Sequence, residues 1–152
     1  QRHARAFATQ YENIAAGALA ATEAHRRFYQ EYFAVMDLTA EFYLQTIRSA
    51  FQENELPRGI MQWRGEPVRP EAIRRTALLT VEGENDDICG IGQTMAALDL
   101  CSGIPVAMKR HHLQTGVGHY GVFNGRRWNT EIYPMVRETI ESANRAAEAA
   151  AA

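Results

Sequence analysis

The sequence predicts an α/β fold, and three observations support this prediction. Before residue 57, apolar residues recur at helical spacing. After residue 70, two strand-like runs, residues 77–81 and 106–113, are each followed by a turn and then by a helical pattern. Strands that alternate with helices usually pair in parallel and are covered by those helices. We therefore predict two parallel strands with flanking helices, preceded by a helical region.

The composition is that of a globular domain or of part of one, with 46% hydrophobic and 22% charged residues. Lys and Arg together number 16 against 18 Asp and Glu, which gives a formal net charge of -2. This balance lacks the basic field of nucleic-acid-binding proteins, so nucleic acid is not an expected partner. The longest weakly polar stretch, residues 14–22, falls short of the ~20 residues that a membrane span requires. No membrane span is predicted.

The first region, residues 1–56, is predicted to be a set of helices. Residues 2–20 predict one amphipathic helix, and an aromatic stripe at helical spacing covers residues 28–36. Asp37 is the expected N-cap of a further helix over residues 38–52. The buried face expected for that helix consists of Phe42, Ile47 and Phe51. The aromatic stripe has two explanations, core packing or the lining of a substrate entrance.

The remaining chain divides at Pro and Gly residues. Residues 57–75 predict a linker, residues 76–145 a βαβα region, and residues 146–152 an alanine-rich tail. Within the βαβα region, a short helix over residues 93–101 separates the two predicted strands. The last helix is expected to start near Thr130 or Pro134. Its expected buried face consists of Ile132, Met135, Val136 and Ile140.

Both predicted strands are followed by polar groups with catalytic potential. Asp86 and Asp87 come after the first strand, and His119 comes after the second. The carboxyl ends of parallel strands are where open α/β sheets bind ligands. A hydrolytic histidine needs a carboxylate that fixes its tautomer, and either Asp86 or Asp87 can supply it. The flanking Gly118 and Gly121 allow a sharp turn at the histidine.

The chain order of these groups suggests part of an α/β-hydrolase fold. In that fold the nucleophile comes first, then the acid and then the histidine, and no nucleophile motif precedes Asp86 in this sequence. Two predicted strands also fall short of the roughly four to six strands of a viable open sheet. We therefore expect the C-terminal portion of an α/β-hydrolase fold, with cap-like helices in front and the nucleophile and further strands upstream.

The other motifs in the sequence are weaker evidence for a function than the two turns with Asp86 and His119. Residues 116–121 match the G-x-G-x-x-G pattern, but no helix opens directly from it, so a dinucleotide site is not predicted. His111 and His112 are adjacent in a predicted strand and point to opposite faces, so they cannot share a metal ion. Cys89 and Cys101 do not form a CxxC pair and predict reduced, packed thiols, which fits a cytosolic compartment. Neither a metal nor a cofactor is expected.

Several segments together resemble intracellular polyhydroxyalkanoate depolymerases. The most specific is residues 118–128, with the sequence GHYGVFNGRRW, and residues 36–44, 80–88, 92–94 and 132–134 extend the likeness. The resemblance implies an α/β-hydrolase fold, an upstream cysteine or serine nucleophile, and hydrolysis of the ester bonds of stored poly(3-hydroxybutyrate). By the family's G-x-x-D turn, it implies that Asp86 is the triad acid and His119 the base.

The resemblance makes a polyester granule in the cytoplasm the expected partner. The enzyme class implied is a carboxylic ester hydrolase, with this chain inactive by itself for lack of the nucleophile. One alternative is an acyltransferase similar to the polyhydroxyalkanoate synthases, although the loop after His119 resembles the depolymerases more. The other alternative is a non-catalytic granule-binding module, in which the aromatic helices matter and His119 does not.

Overall fold

The computed structural model describes residues 2–151, with the side chains of residues 3–150, and the chain forms two compact units. The first unit ends at Arg48 and the second begins at Ser49. The first contains helices α1 (Arg2–Ala15), α2 (Leu19–Tyr32) and α3 (Ala40–Thr46). The single helix predicted over residues 2–20 is therefore wrong. Gly17 has a φ of +68°, which suits glycine and interrupts the helix between α1 and α2.

Helices α1 and α2 pack through an aromatic cluster. Tyr29 on α2 is 8% exposed, and its ring lies 4.6 Å from those of both Phe7 and His25. Its hydroxyl lies 2.9 Å from Nδ1 of His3 on α1. Core packing, the first of the two explanations of the aromatic stripe, therefore describes Tyr29. Phe33 is 62% exposed at the end of the same stripe.

Helix α3 differs from its prediction at its start and in its burial. The N-cap is Thr39, whose Oγ1 accepts a hydrogen bond from the Phe42 N–H, so the prediction of Asp37 is wrong. The helix continues as one π-helical segment, Ile47–Gln52. Phe42 is 56% and Phe51 73% exposed. Their predicted burial is wrong because periodicity identifies an apolar face but not a partner for it.

The second unit opens with a small hairpin in the region that was predicted as a linker. Strands β1 (Gln62–Trp63) and β2 (Glu66–Pro67) pair antiparallel. The two residues between them, Arg64 and Gly65, both have positive φ, as a type I′ hairpin turn requires. A 3-10 turn, Pro70–Ala72, follows.

A parallel pair of strands forms the centre of the second unit. Strand β3 (Leu78–Gly83) pairs with β4 (Lys109–Gln114), from Leu78 opposite Lys109 to Gly83 opposite Gln114. Helix α4 (Ala96–Leu100) lies between them in the chain. The predicted α/β arrangement of two parallel strands with helices is confirmed at this level. Strand β4 starts later than predicted because a 3-10 turn, Val106–Met108, precedes it.

The core of this unit lies beside the carboxyl ends of the strands. Val117, Val122 and Ile132 are buried together, and partly buried Val81, Trp128 and Val136 pack against them. Three elements follow β4: a 3-10 turn (His119–Val122), the short α5 (Gly125–Arg127) and a π-helical turn (Trp128–Ile132). The core therefore anchors the loop that leaves β4.

Helix α6 (Tyr133–Ala151) closes the chain. Of its predicted buried face, Ile132, just ahead of α6, and Met135 are buried, whereas Ile140 is 56% exposed. Residues 146–151, predicted as a tail, continue the helix, as the high helix propensity of alanine favours. Ala152, the last residue of that predicted tail, and Gln1, the first of the predicted helical region, lie outside the described residues. Over residues 2–151, none of the helices has the length and apolar character of a membrane span.

Candidate active site

The acid turn, residues 83–91, begins at Gly83, the last residue of β3, and is held by its own hydrogen bonds. Oδ1 of Asp86 accepts from the N–H groups of Ile88 at 2.8 Å and Cys89 at 2.9 Å. Such side-chain bonds to backbone N–H groups two and three residues ahead are typical of aspartate in turns. One carboxylate oxygen is thus used to shape the turn, which leaves Oδ2 for a different partner.

The histidine loop, residues 115–123, follows β4 and is bonded to the acid turn. The N–H of Glu84 donates to the Gln114 carbonyl, and the N–H of Asn85 donates to the Val117 carbonyl, both at 2.9 Å. In return, Oε2 of Glu84 accepts from the Gly116 N–H at 2.8 Å. These bonds extend the parallel pairing of the strands beyond their ends, so the two loops run side by side.

Two glycines permit close packing here, Gly83 between the two loops and Gly121 within the histidine loop. A Cβ on Gly83 would lie 2.9 Å from the Val117 carbonyl oxygen, so a side chain there would push the two loops apart. A Cβ on Gly121 would lie 2.6 Å from Cβ of Val117. The space around both residues, rather than an unusual φ, therefore requires glycine.

His119 and Asp86 meet at the carboxyl end of the sheet. Nδ1 of His119 donates to Oδ2 of Asp86 at 2.9 Å. The carboxylate side chain is 4% exposed, whereas the imidazole is 32% exposed. A carboxylate that accepts from Nδ1 leaves Nε2 as the ring nitrogen that can take up and return a proton. The pair has the contact that a general base and its orienting acid require.

The surroundings of Asp86 keep its carboxylate ionised. Burial alone would raise the pKa of Asp86. The N–H groups of Cys89 and Ile88 and the His119 ring outweigh burial and hold the pKa of Asp86 below its usual value. The acceptor that fixes the histidine tautomer is therefore charged at neutral pH.

Exposed aromatic and aliphatic side chains follow His119 and Asp86 in the chain. The rings of Tyr120 and Phe123 lie edge-on to His119, with centroids 5.7 Å and 5.9 Å away. Phe123 is 64% exposed. On the acid turn, Ile88 and Ile91 are 65% and 62% exposed. We call these four residues the apolar rim.

Cys89, His111 and His112 are further reactive side chains in or near the two loops in the chain. Burial, together with the negative charges of Asp86 and Glu82, raises the pKa of the Cys89 thiol, which disfavours the thiolate that a nucleophile needs. His111 Nδ1 lies 2.9 Å from the Thr80 hydroxyl, and His112 Nε2 lies 3.0 Å from Gln114 Oε1. Among the residues that the structure describes, no group of three or more His, Cys, Asp or Glu residues is arranged to hold a metal ion.

The burial of the Glu82 side chain was not predicted from the sequence. Its side chain is fully buried, directly before the acid turn, and accepts four hydrogen bonds from Gly92, Thr94 and Met95. The one signal in the sequence was a single carboxylate at the end of an otherwise apolar strand. Such a group is buried only if it is fully hydrogen-bonded.

The carboxylate of Glu82 is expected to make the stability of this unit sensitive to acid. Burial alone raises its pKa, but the Gly92 N–H, the Thr94 hydroxyl and the Met95 and Thr94 N–H groups lower it to about 2. Because the folded pKa lies below the ordinary value of 4.5, the unfolded state binds more protons at acid pH. The contribution of Glu82 is therefore complete above pH 4.5 and is lost as the pH falls towards 2.

Urea unfolding of the wild type and of Glu82→Gln between pH 6 and pH 2.5 measures this contribution. The difference in the free energy of unfolding should be constant down to about pH 4.5 and then shrink. Glu138→Gln is the control, because this side chain is 69% exposed and pairs only with Arg110 at 3.3 Å among the ion pairs of the described residues. A difference that does not change with pH would contradict the prediction.

Comparison with protein families gave a match to a family model. The model of a family described as "PHB de-polymerase C-terminus", where PHB is poly(3-hydroxybutyrate), matches residues 1–144 of the chain. Neither the curated proteins nor the solved structures gave a match. The matched range includes all of the residues of the two loops described above.

Proposed function

Because the chain belongs to the PHB depolymerase C-terminus family, we propose that it takes part in the hydrolysis of poly(3-hydroxybutyrate). In this proposal, His119 is the general base and Asp86 the acid that orients it, within a nucleophile-His-Asp triad. The observation that carries the proposal is the 2.9 Å contact between Nδ1 of His119 and Oδ2 of Asp86. It leaves Nε2 for proton transfer, which ester hydrolysis of this type requires.

The proposed reaction is acyl transfer in two steps. A serine hydroxyl or cysteine thiol attacks the carbonyl carbon of a polymer ester, and Nε2 of His119 takes up its proton. The ester C–O bond breaks, and the departing alkoxy oxygen receives that proton from His119. Water then attacks the acyl-enzyme with His119 as base, which releases the second product as a carboxylic acid. Asp86 stabilises the imidazolium in both steps.

The nucleophile in this proposal belongs to a segment that precedes the acid turn in the complete enzyme. Cys89 is a poor candidate because the pKa of its thiol is raised and because it lies on the acid turn itself. In an α/β-hydrolase fold, a separate turn between a strand and a helix presents the nucleophile, and it precedes the acid in the chain. We therefore propose that β3 and β4 belong to the C-terminal part of such a sheet. In this proposal, residues 57–75 link that part of the sheet to the cap-like helices of residues 1–56.

The apolar rim suits a polyester substrate. Ile88, Ile91, Tyr120 and Phe123 follow or neighbour the two proposed catalytic residues in the chain and are all substantially exposed. Exposed apolar groups beside a catalytic pair favour a substrate with methyl and methylene groups over a charged one. The proposed substrate is the polymer of cytoplasmic storage granules.

The release of 3-hydroxybutyrate from amorphous polymer granules tests the proposal. The protein should be assayed with its upstream nucleophile region, and granule binding should be measured in parallel by sedimentation. Release of hydroxybutyrate units supports the proposal. Granule binding without release would instead favour a non-catalytic binding module. Transfer of hydroxyacyl groups from coenzyme A thioesters onto polymer would favour an acyltransferase related to the polyhydroxyalkanoate synthases.

Aromatic side chains on the cap-like helices are expected to contact the polymer. Phe33 and Phe42 are 62% and 56% exposed, whereas Tyr29 is buried by its own unit and is excluded from this role. Burying a Phe side chain is worth roughly 1.5–3 kcal/mol, so the double variant Phe33→Ala/Phe42→Ala should bind granules at least about tenfold more weakly.

Hydrolysis of a short soluble ester should be unchanged in that double variant. Leu19→Ala is the control, because Leu19 is 80% exposed in the same unit but is not aromatic. An equal loss of granule binding in the Leu19 variant would show that general surface apolarity, not these two rings, binds the polymer.

A further inference from the structure

Glu82 is a buried carboxylate that the proposed mechanism does not use. Its Oε1 accepts from the Thr94 N–H at 2.6 Å, the Thr94 hydroxyl at 2.9 Å and the Met95 N–H at 3.1 Å. Its Oε2 accepts from the Gly92 N–H at 2.7 Å and lies 3.8 Å from Nε2 of His111. Since its side chain is 0% exposed, Glu82 does not meet substrate in this arrangement.

Glu82 lies just before the acid turn in the chain, and its carboxylate binds the residue just after the turn. The turn starts at Gly83, the residue next to Glu82 in the chain, and it ends at Ile91, just before the Gly92 N–H that the Glu82 carboxylate binds. Glu82 thus links the start of this nine-residue loop, in which Asp86 is the fourth residue, to the residue that follows its end. Tying the ends of a loop reduces the number of conformations it can adopt.

We propose that Glu82 is a positioning residue for the acid of the triad. By closing the loop, it holds Oδ2 of Asp86 at the place where it meets Nδ1 of His119. This inference rests on the proposed function, because it assigns Glu82 a role through the His119 and Asp86 pair. The ionised state of Glu82 supports it, since a charged acceptor makes stronger hydrogen bonds than a neutral one.

A purely structural role for Glu82 predicts a different result. Its N–H partners lie just before α4, so the carboxylate also satisfies free N–H groups at the start of that short helix. If this were its whole function, its removal would affect catalysis to the same extent with or without Asp86. If Glu82 acts through Asp86, its removal has no further effect once Asp86 is gone.

The test is a double-mutant cycle in the complete enzyme, with a short soluble ester as substrate. Glu82→Gln should lower kcat about 100-fold with KM within about twofold, since a displacement of about 1 Å in a catalytic group has an effect of this size. In an Asp86→Ala background, the same substitution should change kcat by less than about twofold. Equal effects in both backgrounds would overturn the proposal.

A milder variant, Thr94→Val, provides a second test in case Glu82→Gln does not fold. Thr94→Val removes only the hydroxyl donor and leaves the three backbone donors to Glu82. It should lower kcat severalfold in the wild type and not at all in the Asp86→Ala background. Glu138→Gln, an exposed carboxylate on α6, should leave kcat unchanged in both.

A readout that does not depend on activity separates this inference from the proposed function. Exchange of the His119 Nδ1 proton with solvent can be followed by NMR in the wild type and in Thr94→Val. We expect exchange to be about tenfold faster in the variant, because the loop that holds the acceptor opens more often. If the wild type hydrolyses no ester, the proposed function fails. If exchange in Thr94→Val equals that of the wild type, the positioning role fails.

Discussion

Replacement of His119 by alanine is expected to reduce ester hydrolysis by the complete enzyme about 10⁴-fold or more, because a triad loses most of its rate without its base. In the proposed mechanism the imidazole takes the proton of the nucleophile, so its removal abolishes that step. The measurement is kcat on a short soluble ester and on amorphous polymer granules. Both rates should fall together, since the proton transfer is common to the two substrates.

Folding should survive this change. The His119 side chain is 32% exposed and lies outside the buried cluster of Val117, Val122 and Ile132. His112→Gln is the matched control, because His112 contacts Gln114 rather than the proposed catalytic pair and should retain activity within about threefold. Hydrolysis at a wild-type rate by the His119→Ala variant would remove this residue from the mechanism.

Asp86→Asn is expected to lower kcat about 10³–10⁴-fold while KM changes little, because an amide in this position selects the wrong histidine tautomer. The amide NH₂ donates to Nδ1, so the proton moves to Nε2 and that nitrogen no longer accepts one. The turn itself should persist, since the Asn carbonyl oxygen can still accept from the Ile88 and Cys89 N–H groups. Circular dichroism and the kcat of the soluble ester give the two readouts.

Asp87→Asn is the control for this prediction, because it removes an adjacent carboxylate of the same size. Asp86 is the residue whose Oδ2 lies 2.9 Å from His119, so the Asp87 variant should lose less than about threefold in kcat. A larger loss in the Asp87 variant than in the Asp86 variant would mean that the acid had been assigned to the wrong residue.

The sequence was a good guide to the order of elements and a poor guide to their ends and surroundings. Strand β3 was predicted from a continuous apolar run and helix α6 from apolar periodicity, and both are local properties. The break at Gly17 and the cap at Thr39 were missed, because neighbouring residues offered equally plausible starts and stops. The burial of Phe42 was wrong because a helix face shows what it could bury, not whether another element covers it.

The candidate site was likewise predicted only in part from the sequence. The sequence by itself determined that an acid turn and a histidine turn each follow a strand, because short-range patterns encode strands and turns. From the residues alone, Asp86 and Asp87 were both possible acids, and only the resemblance to depolymerases selected Asp86.

The tertiary structure decided which groups meet. The parallel register places Gly83 opposite Gln114, so residues 33 positions apart, Asp86 and His119, come within hydrogen-bonding distance. The closure of the acid turn by Glu82 was likewise invisible in the sequence, because it depends on where a buried carboxylate finds its N–H donors after the chain has turned back. Contacts of this kind follow from packing between distant segments, and no local pattern of residues records them.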